Sequence, residues 1–370
     1  MRDKIVFVVA DITATGGIER VITYLASYLC NNGYSVEILS IHRSNRNLPY
    51  PVHADVHISF VDKTIMKARK PGSVSKLLSH FKSSFHLNIK LFKRRKCIIV
   101  ANSFPVALFS CFSALFSSKM LVVEHVHYHY YSKCLVNVRR FIYKFFYGVV
   151  ALTERDSELY INDKLNSLTI PNALSSFPEK IANPSVEKKK IIAAGRLEHQ
   201  KGFDILIKSF AEIDYSVRKE WIMDIYGDGN ERTALQKLIH DLNIEDCVNL
   251  LGNSRDLMNT YAEYDFFVLS SRFEGFGMVL LEAMSCGLPC IAIDCPTGPR
   301  EILDGGKYGI LCDSQSNLGE SIASLIVNKD LRTMLSGKSI LRSHDYNIQI
   351  ISEKWHGLFE SLNEKNIYEK

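Results

Sequence analysis

The chain has 370 residues, of which 46% are hydrophobic, 11% aromatic and 23% charged, and it carries a formal net charge of +5. This is a globular composition with length for two domains, which excludes disordered, collagenous and disulfide-stapled miniprotein classes. The positive excess is too small for an obligate nucleic-acid binder, so no nucleic-acid partner is expected. Nine cysteines, an odd number with no CxxC, lie mostly in apolar runs. They read as buried thiols in a reducing compartment and argue against a zinc cluster.

Taken in chain order, the pattern is strand then helix, repeated. After Met1-Arg2-Asp3-Lys4, the apolar run Ile5–Ala10 ends at Asp11 and is too short for a signal peptide. Candidate strands fall at 4–10, 35–41, 56–61, 97–101, 119–124 and 147–153. A second series follows at 190–194, 221–227, 247–251, 266–271, 290–294 and 309–312. The central strands are continuous apolar runs, as in parallel sheets covered on both faces. Residues 97–118 hold no charge, yet Asn102-Ser103-Phe104-Pro105 interrupts them. They read as a strand, a loop and a helix capped by Ser103 with Pro105 in its first turn, not as a membrane span.

Between the two series, residues 171–190 hold three of the ten prolines and end in a lysine run, a linker composition. The reading is an α/β chain of two Rossmann-like, doubly wound domains facing each other across a cleft. The first domain spans 1–172, the linker 173–189 and the second domain 190–346. Residues 347–370 form a tail whose apolar spacing (Ile350, Ile351, Trp355, Leu358, Phe359, Leu362) predicts a helix packing on either domain, the first being the expected one.

In open parallel sheets ligands bind beyond the carboxyl ends of the strands, so the residues directly after each strand matter most. After the first strand, Gly16-Gly17 precede a helix running to about Asn31. Paired glycines there let amides approach an anion, although a tight strand–helix turn needs them equally. The loop reads DITATGGIER and is not a dinucleotide GxGxxG fingerprint. After the strand at 190–194, Arg196 and Lys201 stand between Gly195 and Gly202. A planar fork and a point charge suit a diphosphate, against a plain reading as solvated cations. The strongest segment is SSRFEGFGMVLLEAMSCGLP, residues 270–289. It offers a loop carboxylate (Glu274), amides at Gly275 and Gly277, a helix N-terminus, and a second carboxylate (Glu282) about one turn into that helix. Carboxylates hold vicinal sugar hydroxyls, and amides at a helix N-terminus suit phosphate.

GRLEHQKGFDILIKSF and FEGFGMVLLEAMSCGLPCIA resemble the retaining nucleotide-sugar glycosyltransferases of GT-B fold, glycosyltransferase family 4, of the bacterial surface-polysaccharide type. Gly16-Gly17, Pro171-Asn172, and Gly298-Pro299 before Glu301 fit the same pattern. The resemblance implies that Glu282 holds the nucleotide ribose and Glu274 contacts the transferred sugar. It implies that Arg196 and Lys201 bind the diphosphate, with Gly275, Phe276, Gly277 and Met278 completing the donor site and Gly16-Gly17 closing over it. His125, directly after the strand at 119–124, matches a histidine the family places near the reacting face of the sugar, and is assigned with Glu274 to catalysis. Retention of anomeric configuration comes from the resemblance alone.

The implied activity moves a hexose or N-acetylhexosamine from a nucleotide-diphosphate sugar, UDP by family frequency, to a saccharide or polyprenyl-linked oligosaccharide acceptor. The setting is O-antigen, capsule or exopolysaccharide synthesis. A sugar-nucleotide epimerase of GT-B fold and a non-catalytic nucleotide-sugar-binding partner are the alternatives. Nucleoside diphosphate release with and without acceptor separates them. No DxD occurs, so neither metal nor other cofactor is expected, and the spacing of His125, His127 and His129 is a poor ligand set. Residues 63–97 hold eleven basic side chains and no acid, interleaved with Leu, Ile and Phe, and residues 139–146 repeat that chemistry. Such faces attract anionic lipid, though a solvated helix face is the plainer reading. The expectation is a peripheral protein on the cytoplasmic face of the inner membrane.

Overall fold

A computed structural model describes residues 4–62, 74–174, 176–254, 256–313 and 315–368. The chain divides into two compact units, Met1–Ser175 with Ile348–Lys370, and Ser176–Asn347.

In the first unit, the strands are β1 (Ile5–Val9), β2 (Val36–Ser40), β3 (His57–Phe60), β4 (Ile98–Asn102), β5 (Met120–Val123), β6 (Gly148–Ala151) and β7 (Ser167–Thr169). The helices between them are α1 (Gly17–Asn31), α2 (Val74–Phe92), α3 (Phe104–Ala114), α4 (Lys133–Tyr143) and α5 (Glu154–Asn162). All strand pairs are parallel, in the order β3-β2-β1-β4-β5-β6-β7. Phe7 of β1 registers with Ile38 on one side and Val100 on the other. Every residue of β1, β2, β4, β5 and β6 is buried, which is why these segments read as unbroken apolar runs. Helix α1 buries Ile22, Leu25, Ala26 and Leu29, a helical stripe against the sheet.

The second unit repeats the plan. Its strands are β8 (Lys190–Ala194), β9 (Ile222–Tyr226), β10 (Val248–Gly252), β11 (Phe266–Leu269), β12 (Cys290–Ile293) and β13 (Ile310–Cys312), parallel in the order β10-β9-β8-β11-β12-β13. Its helices are α6 (Phe203–Ala211), α7 (Tyr215–Arg218), α8 (Arg232–Asp241), α9 (Leu257–Thr260), α10 (Met278–Ser285), α11 (Pro299–Ile302), α12 (Leu318–Val327) and α13 (Lys329–Ser343). One core joins Ile191, Met223, Phe266 and Ile291 of the strands to Phe210, Ile239 and Ile322 of the helices. Both sheets follow the Rossmann order, so each has a switch point where strand order reverses: β1/β4 in the first unit and β8/β11 in the second.

The terminal helix α14 (Ile348–Tyr368) belongs to the first unit. The Tyr34 hydroxyl bonds His356 Nδ1, Phe359 meets the Tyr34 ring edge-on at 5.9 Å, and Lys119 Nζ donates to Asn363 Oδ1 at 2.7 Å. Residues 173–189, among those described, carry no helix or strand, and the Ala182 amide bonds the Cys286 carbonyl at 2.8 Å. Among the described residues no helix is long and apolar enough to cross a membrane.

Four local expectations are corrected. Strand β7 was not anticipated; it is a three-residue edge strand whose Ser and Thr are only partly buried. Ser103 precedes α3 but makes no side-chain cap; its φ of 92° lies outside the extended backbone usual for a capping residue. The basic stretch is not all surface. Arg94 pairs with buried Glu37 at 2.7 Å and Lys90 donates to the Phe60 carbonyl at 2.7 Å. Burial would raise the Glu37 carboxyl, but bonds from Arg94, Lys4 and Ser59 outweigh it and hold it at about 2. Lastly, Arg139 is 0% exposed, lying beneath α4 instead of on the basic face. Lys63, Lys67, Arg69 and Lys70 lie outside the described residues, as does the side chain of Lys76.

Candidate active site

In the second unit, the loops leaving β8 and β11 are stitched to each other. After β8 the chain passes Gly195 and Arg196, makes a tight turn at His199–Lys201, and enters α6 through Gly202 at φ 63°. A Cβ at Gly202 would collide with the Ser270 carbonyl, so glycine is demanded by both φ and space. Ser270 Oγ donates to the Lys201 carbonyl at 2.9 Å, and Gln200 Nε2 to the Phe273 carbonyl at 3.0 Å. The Arg272 amide donates to the Gln200 carbonyl at 2.8 Å. Its guanidinium reaches the His199 carbonyl at 2.8 Å and forks onto Asp204 at 2.8 and 2.7 Å. That fork holds the Asp204 carboxyl below its ordinary range. The loop after β12 braces the others from behind. Thr297 Oγ1 donates to the Glu274 carbonyl at 2.6 Å, and Gly298, at φ 93°, lies so close to the Phe276 carbonyl that a Cβ would strike it.

Within this frame, Glu274 is 5% exposed and accepts on one oxygen, Oε1, from both Lys201 Nζ and Ser271 Oγ, each at 2.6 Å. Lys201, the expected diphosphate ligand, is ion-paired with this carboxylate. A carboxylate this buried carries a large desolvation cost, and the cation brought beside it by the stitched loops offsets that cost. Arg196 differs. It is exposed, and its guanidinium makes no hydrogen bond or ion pair among the described residues. Gly277, at φ 101°, is the residue before α10 and offers no side-chain cap, leaving the first amides of that helix, Met278 included, for another acceptor. Glu282 is the fifth residue of α10 and 4% exposed. Phe276 is buried with its ring edge on Tyr346 at 5.7 Å, while Gly275 beside it is partly exposed. Arg196, Lys201, Glu274, Gly275, Phe276, Gly277 and Met278 thus occupy two joined loops at the β8/β11 switch point, with Glu282 on the helix that leaves them.

In the first unit, His125 follows β5 beside the β1/β4 switch point. Asn102 Nδ2 donates to the Val8 and Val100 carbonyls at 3.2 and 3.1 Å, which turns Oδ1 toward His125 Nε2, 3.2 Å away. The proton therefore sits on Nε2, and Nδ1 keeps its lone pair. Burial pushes the imidazole down to about 4, so it is neutral at physiological pH. His125 and Asn102 line an apolar pocket walled by Phe7, Leu25, Leu152, Ile351 and Trp355 among others. Gly16, with extended backbone, precedes α1, and Gly17 is its first residue. Glu19 folds back toward Gly16; burial and nearby Asp11 raise its carboxyl. Among the described residues no three His, Cys, Asp or Glu side chains are grouped to hold a metal ion.

Sequence reasoning missed several residues that build these sites. Asn102 ends β4, and inspecting strand ends would have found it. Ser271, Thr297 and the Arg272–Asp204 fork carry no local pattern; only the fold brings them in.

Residues 177–341 match the family described as "Glycosyl transferases group 1". An uncharacterized glycosyltransferase of Haemophilus influenzae is 30% identical over 370 residues, 96% of this chain and 99% of that one. The amylovoran biosynthesis glycosyltransferase AmsD of Erwinia amylovora is 27% identical over 368 residues, 96% and 99% of the two chains. An α-1,4-N-acetyl-D-galactosaminyltransferase of Campylobacter jejuni, whose name specifies an oligosaccharide on PP-undecaprenol, is 25% identical, covering 95% and 97%. Among solved structures, a variant of S. aureus TarM in complex with fondaparinux, alpha-GlcNAc-glycerol and UDP superposes with a TM-score of 0.77 at 15% identity, covering 96% of this chain and 99% of that one. The chain is a glycosyltransferase and belongs to the group 1 glycosyltransferases, on a GT-B fold of two Rossmann-like, parallel-sheet domains. Its relatives include enzymes of polysaccharide synthesis.

Proposed function

We propose that this protein is a retaining, metal-independent transferase of glycosyltransferase family 4. It moves a hexose or N-acetylhexosamine from a UDP-sugar to a saccharide or polyprenyl-linked oligosaccharide in surface-polysaccharide synthesis. The observation that carries this reading is the Lys201–Glu274 pair held between two stitched loops, with exposed Arg196 beside it. On donor binding, Arg196 and Lys201 take the diphosphate, the Gly275–Met278 amides add dipoles, and Glu282 accepts from the ribose hydroxyls. Glu274, released by Lys201, meets the sugar hydroxyls. Gly16 and Gly17 offer further amides to the diphosphate. The bond from C1 to the β-phosphate oxygen breaks as the acceptor oxygen bonds C1 on the same face, and the acceptor's proton passes to the departing phosphate. Cations and dipoles placed where that charge develops supply the stabilisation, typically a few kcal/mol per good donor. Neutral His125, its Nε2–H held by Asn102, accepts a hydrogen bond from a sugar hydroxyl on Nδ1 without adding a charge. A UDP complex of TarM and the PP-undecaprenol acceptor in the Campylobacter jejuni enzyme's name support the donor and acceptor classes. With purified donor and lipid-linked acceptor, UDP release is expected to depend on acceptor. Release of free epimerised sugar without acceptor would contradict the assignment.

The acceptor class draws the protein to the cytoplasmic face of the inner membrane. Supporting this is a surface that combines exposed Phe81, Phe85, Ile89 and Phe92 of α2 with Phe112, Leu115 and Phe116 that follow along and after α3. Phe92 and Phe116 meet at 6.1 Å, Phe112 and Phe116 at 5.3 Å. Exposed Lys82, Lys93, Arg95 and Lys96 accompany these rings, and Arg140 and Lys144 lie exposed at the end of α4. Apolar insertion plus headgroup attraction is the chemistry of an interfacial helix. In flotation assays the protein is expected to rise with anionic vesicles at low salt, and a Phe85→Ser, Phe112→Ser double variant is expected to remain behind. Equal flotation of both, or none of either, would contradict membrane attachment by this face.

A further inference from the structure

The proposed function leaves one cluster unused, directly behind His125. Glu124 extends β5, its amide donating to the Val150 carbonyl at 3.0 Å, and its side chain is buried. Arg139 of α4 is buried completely, its guanidinium over the rings of Tyr128 at 4.6 Å, Tyr160 at 5.0 Å and Tyr131 at 5.8 Å. Its Nη2 donates to the Tyr128 carbonyl at 2.8 Å, while Nη1 stands 4.0 Å from Glu124 Oε2. Tyr143 donates to the same Oε2 at 2.6 Å. Tyr128 is also held by Asp156, which accepts from its amide at 3.0 Å, and by Asp163, which accepts from its hydroxyl. Segment 125–131 is therefore pinned at its start by Glu124 and in its middle by Arg139.

The cluster is under-bonded for its depth. Glu124 Oε1, Arg139 Nε and Nη1, and the Tyr160 hydroxyl are buried without a hydrogen-bond partner. Buried polar atoms left this way cost free energy, and native proteins keep few of them. The long separation of Glu124 from Arg139 makes the pair responsive, because attraction between two charges in a poorly screened interior changes steeply with charge state.

We propose that Glu124 and Arg139 are positioning residues that set the His125 imidazole through Tyr128 and segment 125–131, and that the charge on Glu124 selects its productive placement. This rests on the reading that His125 faces the transferred sugar. The groups around Glu124 are Arg139 and Tyr143 of α4, Tyr160 of α5, Tyr131 of the segment, and the backbone of His125 and of Phe104 at the start of α3, while Arg139 in turn faces Tyr128 and Asp156. Burial raises the Glu124 carboxyl to about 7, against the lowering effects of the Tyr143 hydroxyl and the Arg139 guanidinium. Near neutrality the carboxyl thus exchanges between neutral, with Arg139 released, and charged, with Arg139 drawn in. Neither residue contacts donor or acceptor in this scheme, so the effect falls on kcat.

The test is the pH profile of kcat and of donor KM for the full-length enzyme and its variants. In the wild type, kcat is expected to rise roughly fivefold across neutrality, the size typical of residues acting through another. Glu124→Gln, the isostere of the neutral acid, is expected to be flat in pH at the low plateau, with donor KM within about twofold. Tyr143→Phe, which removes a bond to the charged form, is expected to move the inflection to higher pH. It also serves if Glu124→Gln fails to fold. Wild-type-like inflections in the variants that fold would overturn the proposal, as would a change confined to KM. His125→Ala separates this from the parent reading: full activity there sinks the role of His125 itself, whereas lost activity there with an unmoved inflection in Glu124→Gln and Tyr143→Phe sinks the positioning pair alone.

Discussion

Replacing Lys201 with methionine is expected to lower kcat/KM for the nucleotide sugar by about 10²–10³, the loss typical of one preorganised charge-stabilising donor. Lys201 answers the charge of Glu274 from 2.6 Å, on loops locked by the Arg272–Asp204 fork and the Ser270 bond. Removing the amine has two effects that must be separated. It strips a cation from the diphosphate, and it strands a buried carboxylate, which costs stability. The double variant Lys201→Met, Glu274→Gln no longer strands a charge. It is expected to recover the thermal stability lost in Lys201→Met while transfer stays low. Steady-state kinetics beside a thermal melt reads both. Wild-type transfer in the single variant would mean that the diphosphate lies elsewhere.

Glu282→Ala is expected to nearly abolish transfer at micromolar donor while the fold persists. Glu282 sits in the first turns of α10, buried but next to the loop that carries Gly275 and Gly277. Two hydrogen bonds from ribose hydroxyls to a carboxylate contribute about 3–5 kcal/mol together, which is a factor of 10² or more in donor binding. The loss is expected mainly in KM, since ribose contacts are alike in ground and transition states. A 2′-deoxy donor provides the matching control. The wild type is expected to discriminate against it, and Glu282→Ala is expected to lose that discrimination. Unchanged discrimination in the variant would remove Glu282 from the ribose.

The strands near the switch points were legible in the sequence because they are buried on both faces and carry apolar residues without interruption. Strand β7 was not, since three partly buried residues at a sheet edge, Ser167–Thr169, leave no such run. The loops after β8 and β11 were legible by their glycines, of which Gly202 and Gly277 hold positive φ. Their stitching was not, because Lys201 and Glu274 stand 73 positions apart and pair only after both loops leave adjacent strands. Arg139 shows the limit most plainly. Beside Arg140 it read as one of two surface cations, yet its guanidinium lies among three tyrosines contributed by segment 125–131 and α5. Helical phase separates the neighbours, with Arg140 exposed and paired to Asp163 at 3.0 Å while Arg139 turns inward. A periodicity count over a short amphipathic segment does not tell a cation at the edge of the apolar stripe from one under it.

The most direct measurement is calorimetric titration of the full-length protein with UDP in excess EDTA, repeated with Arg196→Ala and with Lys201→Met, Glu274→Gln. The account predicts saturable binding by the wild type without metal, unaltered when manganese replaces the chelator, and at least about tenfold weaker in each variant, the effect of losing one charge-assisted bond. Wild-type binding that appears only with manganese, or variants that bind UDP as tightly as the parent, would contradict it.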